Sequence, residues 1–237
     1  MSTLVFDIET VGQPFAEFDQ LTQHKLLDAA ALKQPEAHTK ETLQTLAEEP
    51  LGLSPFTGKI IAIACIEVES KRGGVYFEAP GETHNEQDES GCKYQSMDEA
   101  KILRKFWDLA LHCNEFVTYN GRGFDLPYIM LRSAVHGIRP PKNISKARYL
   151  YQMDKDAIHI DLFDQLTFYR ALSGGNLSLH MACQAFGITS PKQGGMDGSK
   201  VAEAFEQKRY KEIAEYCLAD VVATAELFEK WNRLLRF

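Results

Sequence analysis

The first residues of the chain alternate between apolar and other side chains, and this alternation predicts a strand. Leu4, Phe6 and Ile8 point to one face of it. Asp7 and Glu9 share the opposite face. Two carboxylates side by side in a mostly apolar strand repel each other and lose hydration, and a shared divalent cation would compensate both effects. The alternative is an edge strand whose two acids lie in water, and further carboxylates have to decide between them.

The rest of the chain alternates apolar runs typical of strands with runs of helical spacing. The runs predict strands at 59–69, 75–78, 116–119 and 157–162, and helices at 15–49, 97–110, 125–135, 163–172, 179–186 and 211–235. Alternation of this kind indicates an α/β protein with helices packed on a sheet.

Some segments interrupt this order. The stretch 15–51 reads as a helical insertion that Pro35 splits in two, and the polar stretch 83–95 is expected to be a mobile loop. Ser96 and Glu99 have the spacing of a capping box at the start of a helix.

Composition and charge narrow the class of protein. The 237 residues, 44% of them hydrophobic, suit a single domain over 1–237 that carries the insertion. The net charge of -7 argues against a protein that coats nucleic acid through a basic surface, but not against an enzyme acting on a chain end. The five scattered cysteines, the lack of a signal-peptide pattern and the lack of roughly 20 consecutive apolar residues lead us to expect a soluble cytoplasmic protein without membrane contact.

Two later acids stand where sites are often built. Asp125 follows a tight turn at 121–123 and begins a helix, so it is either an exposed site residue or an ordinary N-cap. Tyr216 and Asp220 lie four residues apart on the last helix, one turn above each other, where Asp220 could simply bond the Tyr216 hydroxyl. His159 and Asp161 share a face of another strand. We interpret His159 as a hydrogen-bonded residue near the sheet, and Asp161 as either a helix cap or an acid that supports the site without binding metal.

Three segments together resemble the exonuclease motifs of the DEDDy 3′ to 5′ exonucleases. In chain order they are Phe6–Thr10 with D-x-E, Asn120–Asp125 with N-x-x-x-F-D, and Tyr216–Asp220 with Y-x-x-x-D. The chain is most similar to the proofreading exonuclease domain of family B DNA polymerases and to its stand-alone predicted relatives. The related DEDDh branch would place a histidine at the position of Glu215, so the tyrosine branch is favoured.

The resemblance implies a fold and a metal centre. The fold is ribonuclease H-like, a mixed five-stranded sheet flanked by helices, with the helical insertion after the first strand. The cofactors are two divalent ions, Mg²⁺ or Mn²⁺, which suit hard oxygen ligands. The implied ligands are Asp7, Glu9, Asp125 and Asp220, with Asp7 bridging the two ions.

The resemblance also implies roles for the remaining motif residues. Tyr216 would orient the attacking water rather than act as a strong base, since a phenol has a pKa near ~10. Thr10, Asn120 and Phe124 would contact the substrate, with Phe124 stacking on or wedging between terminal bases, although Phe124 as a plain core residue is the alternative.

The expected function is therefore metal-dependent hydrolysis from the 3′ end of single-stranded nucleic acid, releasing nucleoside 5′-monophosphates. DNA is the favoured substrate, and trimming of RNA 3′ ends by the same site is the alternative enzyme, because nothing in the motifs reads a ribose 2′-hydroxyl. A non-catalytic nucleic-acid-binding module on the same fold is the alternative of another class, although none of its acids is missing.

Overall fold

The computed structural model describes residues 2–34, 39–172, 177–190 and 195–236. The strands in these ranges are β1 (Thr3–Gly12), β2 (Gly58–Glu67), β3 (Arg72–Phe77), β4 (Asn85–Gln87), β5 (Lys93–Ser96), β6 (Glu115–Thr118) and β7 (Ile158–Asp161). The α-helices are α1 (Gln20–Lys33), α2 (Lys40–Glu48), α3 (Glu99–Ala110), α4 (Asp125–Val135), α5 (Leu162–Leu166), α6 (Leu179–Phe186), α7 (Val201–Glu206) and α8 (Tyr210–Leu234). Short 3-10 helices lie at Phe15–Glu17, Leu51–Leu53, Leu150–Gln152 and Gly198–Lys200.

The strands form one mixed sheet in the order β4-β5-β3-β2-β1-β6-β7. The first strand pairs antiparallel with β2 and parallel with β6, and β6 pairs parallel with β7. The carboxyl ends of β1, β6 and β7 therefore meet at one edge of the sheet, where the loops that follow β6 and β7 also begin. This edge is where an α/β sheet usually builds its site.

The expected α/β class is confirmed, and the five expected strands correspond to β3, β2, β1, β6 and β7. Two short strands, β4 and β5, extend the sheet beyond β3. They fall in and next to the polar segment 83–95, so the expectation of a structureless loop there is wrong. These strands lie at the sheet margin, and all three residues of β4 are exposed, so they lack the apolar alternation that marks a buried strand.

Helices cover the two faces of the sheet. On one face Phe6 and Ile8 of β1 pack with residues of α3 and α4, such as Phe106 and Ile129. On the other face Val5 packs with residues of α5, α6 and α8. Because side chains alternate along β1, Asp7 and Glu9 lie on this second face, toward α8.

The insertion after β1 contains α1 and α2, which pack against each other. Asp19 caps α1 and Thr39 caps α2 through side-chain oxygens that accept backbone N–H bonds. Pro35, expected to separate the two helices, lies outside the described residues. In the part of the chain that the structure describes, no helix is both long and apolar enough to span a membrane.

The start of α3 differs from the capping box expected for it. Its N-cap is Asp98, whose carboxylate accepts from the Lys101 amide, while Ser96 still belongs to β5. Glu99 turns inward instead and binds Arg132 and His136. The S-x-x-E spacing predicts a capping box from local sequence alone. It fails here because Glu99 binds Arg132 and His136, which are distant in sequence.

Candidate active site

The carboxyl half of β1 holds two of the expected site acids. Asp7 is half-buried and Glu9 is buried, and both lie on the sheet face toward α8. The pairing register of β1 with β2 shifts between Glu9 and Thr10, so the strand is irregular directly after the two acids. Irregularities of this kind re-aim side chains and are common beside active sites.

The loop after β6 is held in a shape that few residues permit. Asn120 has a left-handed backbone with φ of 63°. A Cβ at Gly121 would lie 2.4 Å from Thr118 Oγ1, so glycine is required there. The carboxylate of Asp161 accepts the amides of Asn120 at 2.8 Å and Arg122 at 3.0 Å. The loop is thus fixed by β7 and not only by its own sequence.

This loop delivers Asp125 to β1. Asp125 begins α4, but its buried side chain does not act as the N-cap of that helix. Its Oδ1 accepts the Ile8 amide at 3.2 Å, beyond the Thr3–Val5 stretch of β1 that pairs with β6. The amide lies between Asp7 and Glu9 in the chain, so this bond joins the second motif directly to the first.

The last helix brings the third motif to the same place. Cys217 of α8 donates to the Asp7 carbonyl with a distance of 3.5 Å, which seats the helix on β1. Side-chain atoms of Asp7, Glu9 and Cys217 lie within 4.8 Å of one another. Tyr216 and Asp220, one on each side of this contact, share a side-chain hydrogen bond. The bond was one of the two sequence interpretations of Asp220, and it coexists with closeness to the other acids.

The electrostatics of the site show that the four acids face each other. Burial, followed by the charges of Asp125, Asp220 and Glu9, raises the pKa of Asp7 well above its usual value. Burial and then Asp220 and Asp125 raise the pKa of Glu9 in the same way. Burial raises the pKa of Asp125 to about 7, against the opposing effect of its backbone hydrogen bonds. Among the described residues, Asp7, Glu9 and Asp125 form no ion pair with a Lys, Arg or His.

The phenol of Tyr216 belongs to the same electrostatic cluster. Burial, followed by the negative charges of Asp220 and Glu9, raises its pKa far above the usual value for tyrosine. The group therefore keeps its proton and donates it to the Asp220 carboxylate.

The three residues expected to contact substrate lie around this cluster in different settings. Thr10 Oγ1 donates to the Gly52 carbonyl at 2.7 Å, so this hydroxyl fastens β1 to the 3-10 helix at 51–53. Phe124 is half-buried with its ring 5.3 Å from that of Tyr128. Asn120 is exposed at the tip of its loop. Asn120 and part of the Phe124 ring are accessible to solvent, whereas the Thr10 hydroxyl already has a structural partner.

His159 and Asp161 take the roles expected for them outside the acid cluster. Asp161 is the N-cap of α5 and accepts the Phe163 amide at 3.0 Å. His159 is fully buried, and its Nε2 lies 2.8 Å from Thr118 Oγ1. Burial and then the Arg122 charge lower its pKa to about 3, so the ring is neutral.

Sequence reasoning missed Cys217 as a neighbour of the site, because a cysteine among the buried apolar residues of a long helix looks like an ordinary core residue. Burial and then the charges of Asp7, Glu9 and Asp220 raise the pKa of this thiol well above its usual value. A thiol that keeps its proton is a poor ligand for a hard cation. Its place directly after Tyr216 in the third motif was the one available signal.

The chain matches, over residues 54–235, the family model described as "Predicted 3'-5' exonuclease related to the exonuclease domain of PolB". The chain belongs to this family. The matched range includes Asp125, Tyr216 and Asp220, whereas Asp7 and Glu9 precede it. Exonuclease domains of this kind use divalent metals.

Similar proteins include two DNA polymerases. A DNA polymerase from Thermococcus litoralis is 30% identical over 143 residues, covering 55% of this chain and 8% of that protein. The catalytic subunit of DNA polymerase epsilon from Aspergillus fumigatus is 27% identical over 143 residues, covering 58% of this chain and 6% of that protein. The match therefore spans less than a tenth of each relative's length.

A solved structure is similar over nearly the whole chain. The family B DNA polymerase from the archaeon Pyrobaculum calidifontis superposes with a TM-score of 0.59 and 19% identity, covering 98% of this chain and 24% of that chain. At that identity the likeness establishes the fold alone, and it confirms the expected ribonuclease H-like class.

Proposed function

We propose that this family member is a metal-dependent 3′ to 5′ exonuclease that releases nucleoside 5′-monophosphates from the 3′ end of single-stranded DNA. The observation that carries the proposal is the meeting of four acids from three distant parts of the chain. Asp7 and Glu9 share a face of β1, and Asp125 accepts the amide of Ile8 between them. The charge of Asp220 contributes to the raised pKa of each of the other three. Residues 1–237 would act as one exonuclease domain.

The donor set fits a divalent metal centre. The acids supply carboxylate oxygens, which Mg²⁺ and Mn²⁺ prefer. Burial first, and then the neighbouring negative charges, raise the pKa of Asp7 and of Glu9, and a bound cation would compensate both effects. When bound by these four carboxylates, two such ions would activate a water molecule for attack on the terminal phosphodiester and stabilise the leaving oxygen.

The chain's own residues would do the rest by positioning. Tyr216 and Asp220 share a hydrogen bond in which the phenol donates its only proton. The phenol would turn this proton to the attacking water or to the scissile phosphate when the Asp220 carboxylate binds metal. Cys217 and the Ile8 amide keep α8 and Asp125 in register with β1. The backbone bonds that hold Asp125 also favour its charged form and so favour metal binding.

The substrate would enter beside the loop after β6. Phe124, which is half-buried against Tyr128, would stack on the terminal base, and Asn120 would bond the terminal nucleotide. Thr10 would act through its backbone or by holding Gly52 in place, because its hydroxyl is already engaged. Stacking tolerates any base, so little sequence preference is expected.

The choice of DNA is supported by the two similar proteins, which are DNA polymerases. An exoribonuclease that uses the same acids is the second candidate, and a non-catalytic binding module is the third. Metal-dependent release of mononucleotides separates the enzymes from the binding module, and a comparison of DNA with RNA separates the two enzymes.

The experiment is a time course with 5′-labelled single-stranded DNA and RNA of the same sequence, in Mg²⁺, Mn²⁺ or EDTA. We expect stepwise shortening of DNA from the 3′ end with either metal, and none in EDTA or with Asp7→Ala. Asp108→Ala removes an exposed carboxylate from α3 and serves as the matched control, with wild-type activity expected. Undiminished degradation by Asp7→Ala, or degradation in EDTA, would contradict the proposal.

A further inference from the structure

A group of exposed aromatic and basic side chains lies next to the loop that carries Asn120 and Phe124. Tyr149 and Tyr151 stack with ring centres 5.9 Å apart and planes 17° from parallel. The ring of Tyr149 also lies 4.8 Å from that of Tyr169. Tyr151 is 83% exposed and Phe168 is 60% exposed, which is unusual for such large apolar surfaces. We define the aromatic–arginine surface as Tyr149, Tyr151, Phe168, Arg148 and Arg170.

This surface is positively charged within an acidic protein. Arg122 and Arg148 both bind the buried carboxylate of Asp164, at 2.7 and 2.8 Å, so one negative charge is shared by two guanidinium groups. Arg170 is exposed and takes part in no ion pair within the described ranges. It lies with its guanidinium 5.3 Å from the centre of the Phe163 ring. The chain as a whole carries a net charge of -7, so the basic surface is a local exception.

The surface is continuous with the candidate active site. A cavity of about 180 Å³ is lined by Asn120, Arg122 and Gly123 of the loop after β6, by Arg148 and Arg170, and by the buried acids Asp161 and Asp164. Three guanidinium groups thus face two carboxylates. Arg122 joins this loop to the segment that carries Arg148, since it also donates to the carbonyls of Ala147 and Arg148 at 3.1 Å each. The next residues after Gly123 are Phe124 and Asp125, so a chain that leaves the acid cluster past Phe124 meets this cavity.

The backbone that presents Phe168 and Arg170 is strained. Phe168, Tyr169 and Arg170 have φ of 50°, 56° and 70°, three successive residues in the left-handed region without a glycine. Such residues cost free energy and persist only where the surroundings hold them, often at functional sites. The holding contacts are present, because the Tyr169 amide donates to the Asp164 carbonyl and Gln165 Nε2 donates to the Tyr169 hydroxyl.

We propose that the aromatic–arginine surface binds a single-stranded segment of the nucleic acid whose 3′ end occupies the acid cluster. The direction of the bound strand rests on the proposed function. Because a 3′ to 5′ exonuclease cleaves next to the strand's 3′ end, the rest of the strand, and so the segment held here, lies on the 5′ side of the scissile bond. Bases stack on the tyrosines and Phe168, and phosphates pair with Arg148 and Arg170, which is how sequence-tolerant single-strand binding works. Charge and the shared cavity favour this occupant over a protein partner.

The test compares two charge-matched double variants. Tyr151→Ala with Arg170→Gln removes one exposed ring and one charge from the surface. The control, Leu111→Ala with Arg104→Gln, removes one exposed apolar side chain and one charge from the region of α3. Fluorescence anisotropy in EDTA, where no hydrolysis is expected, measures binding of 5′-labelled single strands of about 3 and about 12 nucleotides, as DNA and as RNA.

We expect the surface variant to bind the longer strand about tenfold more weakly than wild type, with little change for the shorter one. Its affinity should also depend less steeply on salt, because one phosphate contact is lost. The control variant should match wild type. Equal affinity of wild type and the surface variant for the longer strand would overturn the proposal, as would wild-type protein that binds both lengths equally.

The DNA and RNA arms show which backbone the surface accepts. The binding result is also separable from the proposed catalysis. A length-dependent loss of binding together with no metal-dependent hydrolysis would refute the nuclease and support the surface, and the reverse pattern would refute the surface alone.

Discussion

Two buried glutamates in this protein have opposite surroundings. Glu99, 4% exposed, accepts the Ile60 amide at 2.8 Å and binds Arg132 Nη2 and His136 Nε2, each at 2.7 Å. Burial alone would raise its pKa, but these hydrogen bonds hold the pKa below the usual value. Glu9, 8% exposed, faces Asp220 and Asp125 instead, and its pKa is raised.

This difference in partners means that Glu99 stabilises the fold, whereas Glu9 destabilises it. Glu99 joins β2, α3 and α4 and has its charge compensated within the chain, whereas Glu9 is buried beside other acids. A buried acid without a basic partner costs stability unless something outside the chain supplies the opposite charge. The same substitution, Glu to Gln, should therefore have opposite consequences at the two positions.

The largest effect is expected for Glu9→Gln on catalysis. Loss of one charge from the proposed metal centre should lower the nuclease rate at least about a thousandfold, because activation of the water depends on all the ligands. The measurement is single-turnover degradation of a 5′-labelled strand in Mg²⁺. In EDTA, near neutral pH, the variant should be at least as stable as wild type, since like-charge repulsion is relieved. A variant that keeps its activity would remove Glu9 from the site.

The next effect is expected for Glu99→Gln on stability. Breaking a buried pair leaves Arg132 without its counter-charge and should lower the free energy of unfolding by about 3 kcal/mol or more. Urea unfolding followed by circular dichroism measures this loss. Nuclease activity per folded molecule should stay close to that of wild type. A loss of activity with unchanged stability would show that Glu99 serves catalysis and does not stabilise the fold.

A smaller effect is expected from pH on the metal-free protein. Asp125 has a pKa of about 7 in the fold against 3.8 ordinarily, so between these values the folded state holds a proton that the unfolded state has released. Stability from this group is complete below about pH 4 and is lost as the pH rises through about 7, by up to roughly 1.4 kcal/mol per pH unit. Glu99 has the opposite sign, because its pKa is lowered and its contribution is lost only in acid.

Thermal unfolding in EDTA at about pH 5 and about pH 8 measures this dependence. The melting temperature of wild type should be several degrees lower at the higher pH. The Asp125→Asn variant should show a smaller drop, and Mg²⁺ or Mn²⁺ should stabilise wild type more at the higher pH than at the lower. A wild type that gains stability with rising pH in EDTA would rule out the electrostatic account of the cluster.

The smallest effect is expected for Tyr216→Phe. The phenol would position the water or phosphate without holding metal, so its loss should slow hydrolysis about tenfold to a hundredfold at unchanged substrate affinity. Tyr76→Phe removes a buried hydroxyl on the opposite face of the sheet and is the matched control. Equal rates for the two variants would leave Tyr216 as a structural residue.

Sequence patterns alone predicted much of the fold. Periodicity predicts the strand with Asp7 and Glu9 on one face, the helices 125–135 and 179–186, and the long last helix. Burial of one face of a strand or helix makes apolar residues recur at a fixed spacing, and this spacing is visible in the sequence. The short strands β4 and β5 escaped because edge strands bury too little to show one. The left-handed turn at 168–170 escaped because the contacts that hold it are tertiary, and the helix expected over 163–172 ends at Leu166.

For the site, the sequence by itself determined which side chains are present. It also determined that Asp7 shares a face with Glu9, because residues two apart on one strand point to the same face. It could not decide whether Asp125 caps a helix or whether Asp220 only bonds Tyr216. Tertiary structure decided both, through the Ile8 amide that takes Asp125 to β1 and the Cys217 contact that seats α8 on Asp7. Burial, charge and pKa arise from groups distant in sequence, so only the folded chain distinguishes Glu9 from Glu99.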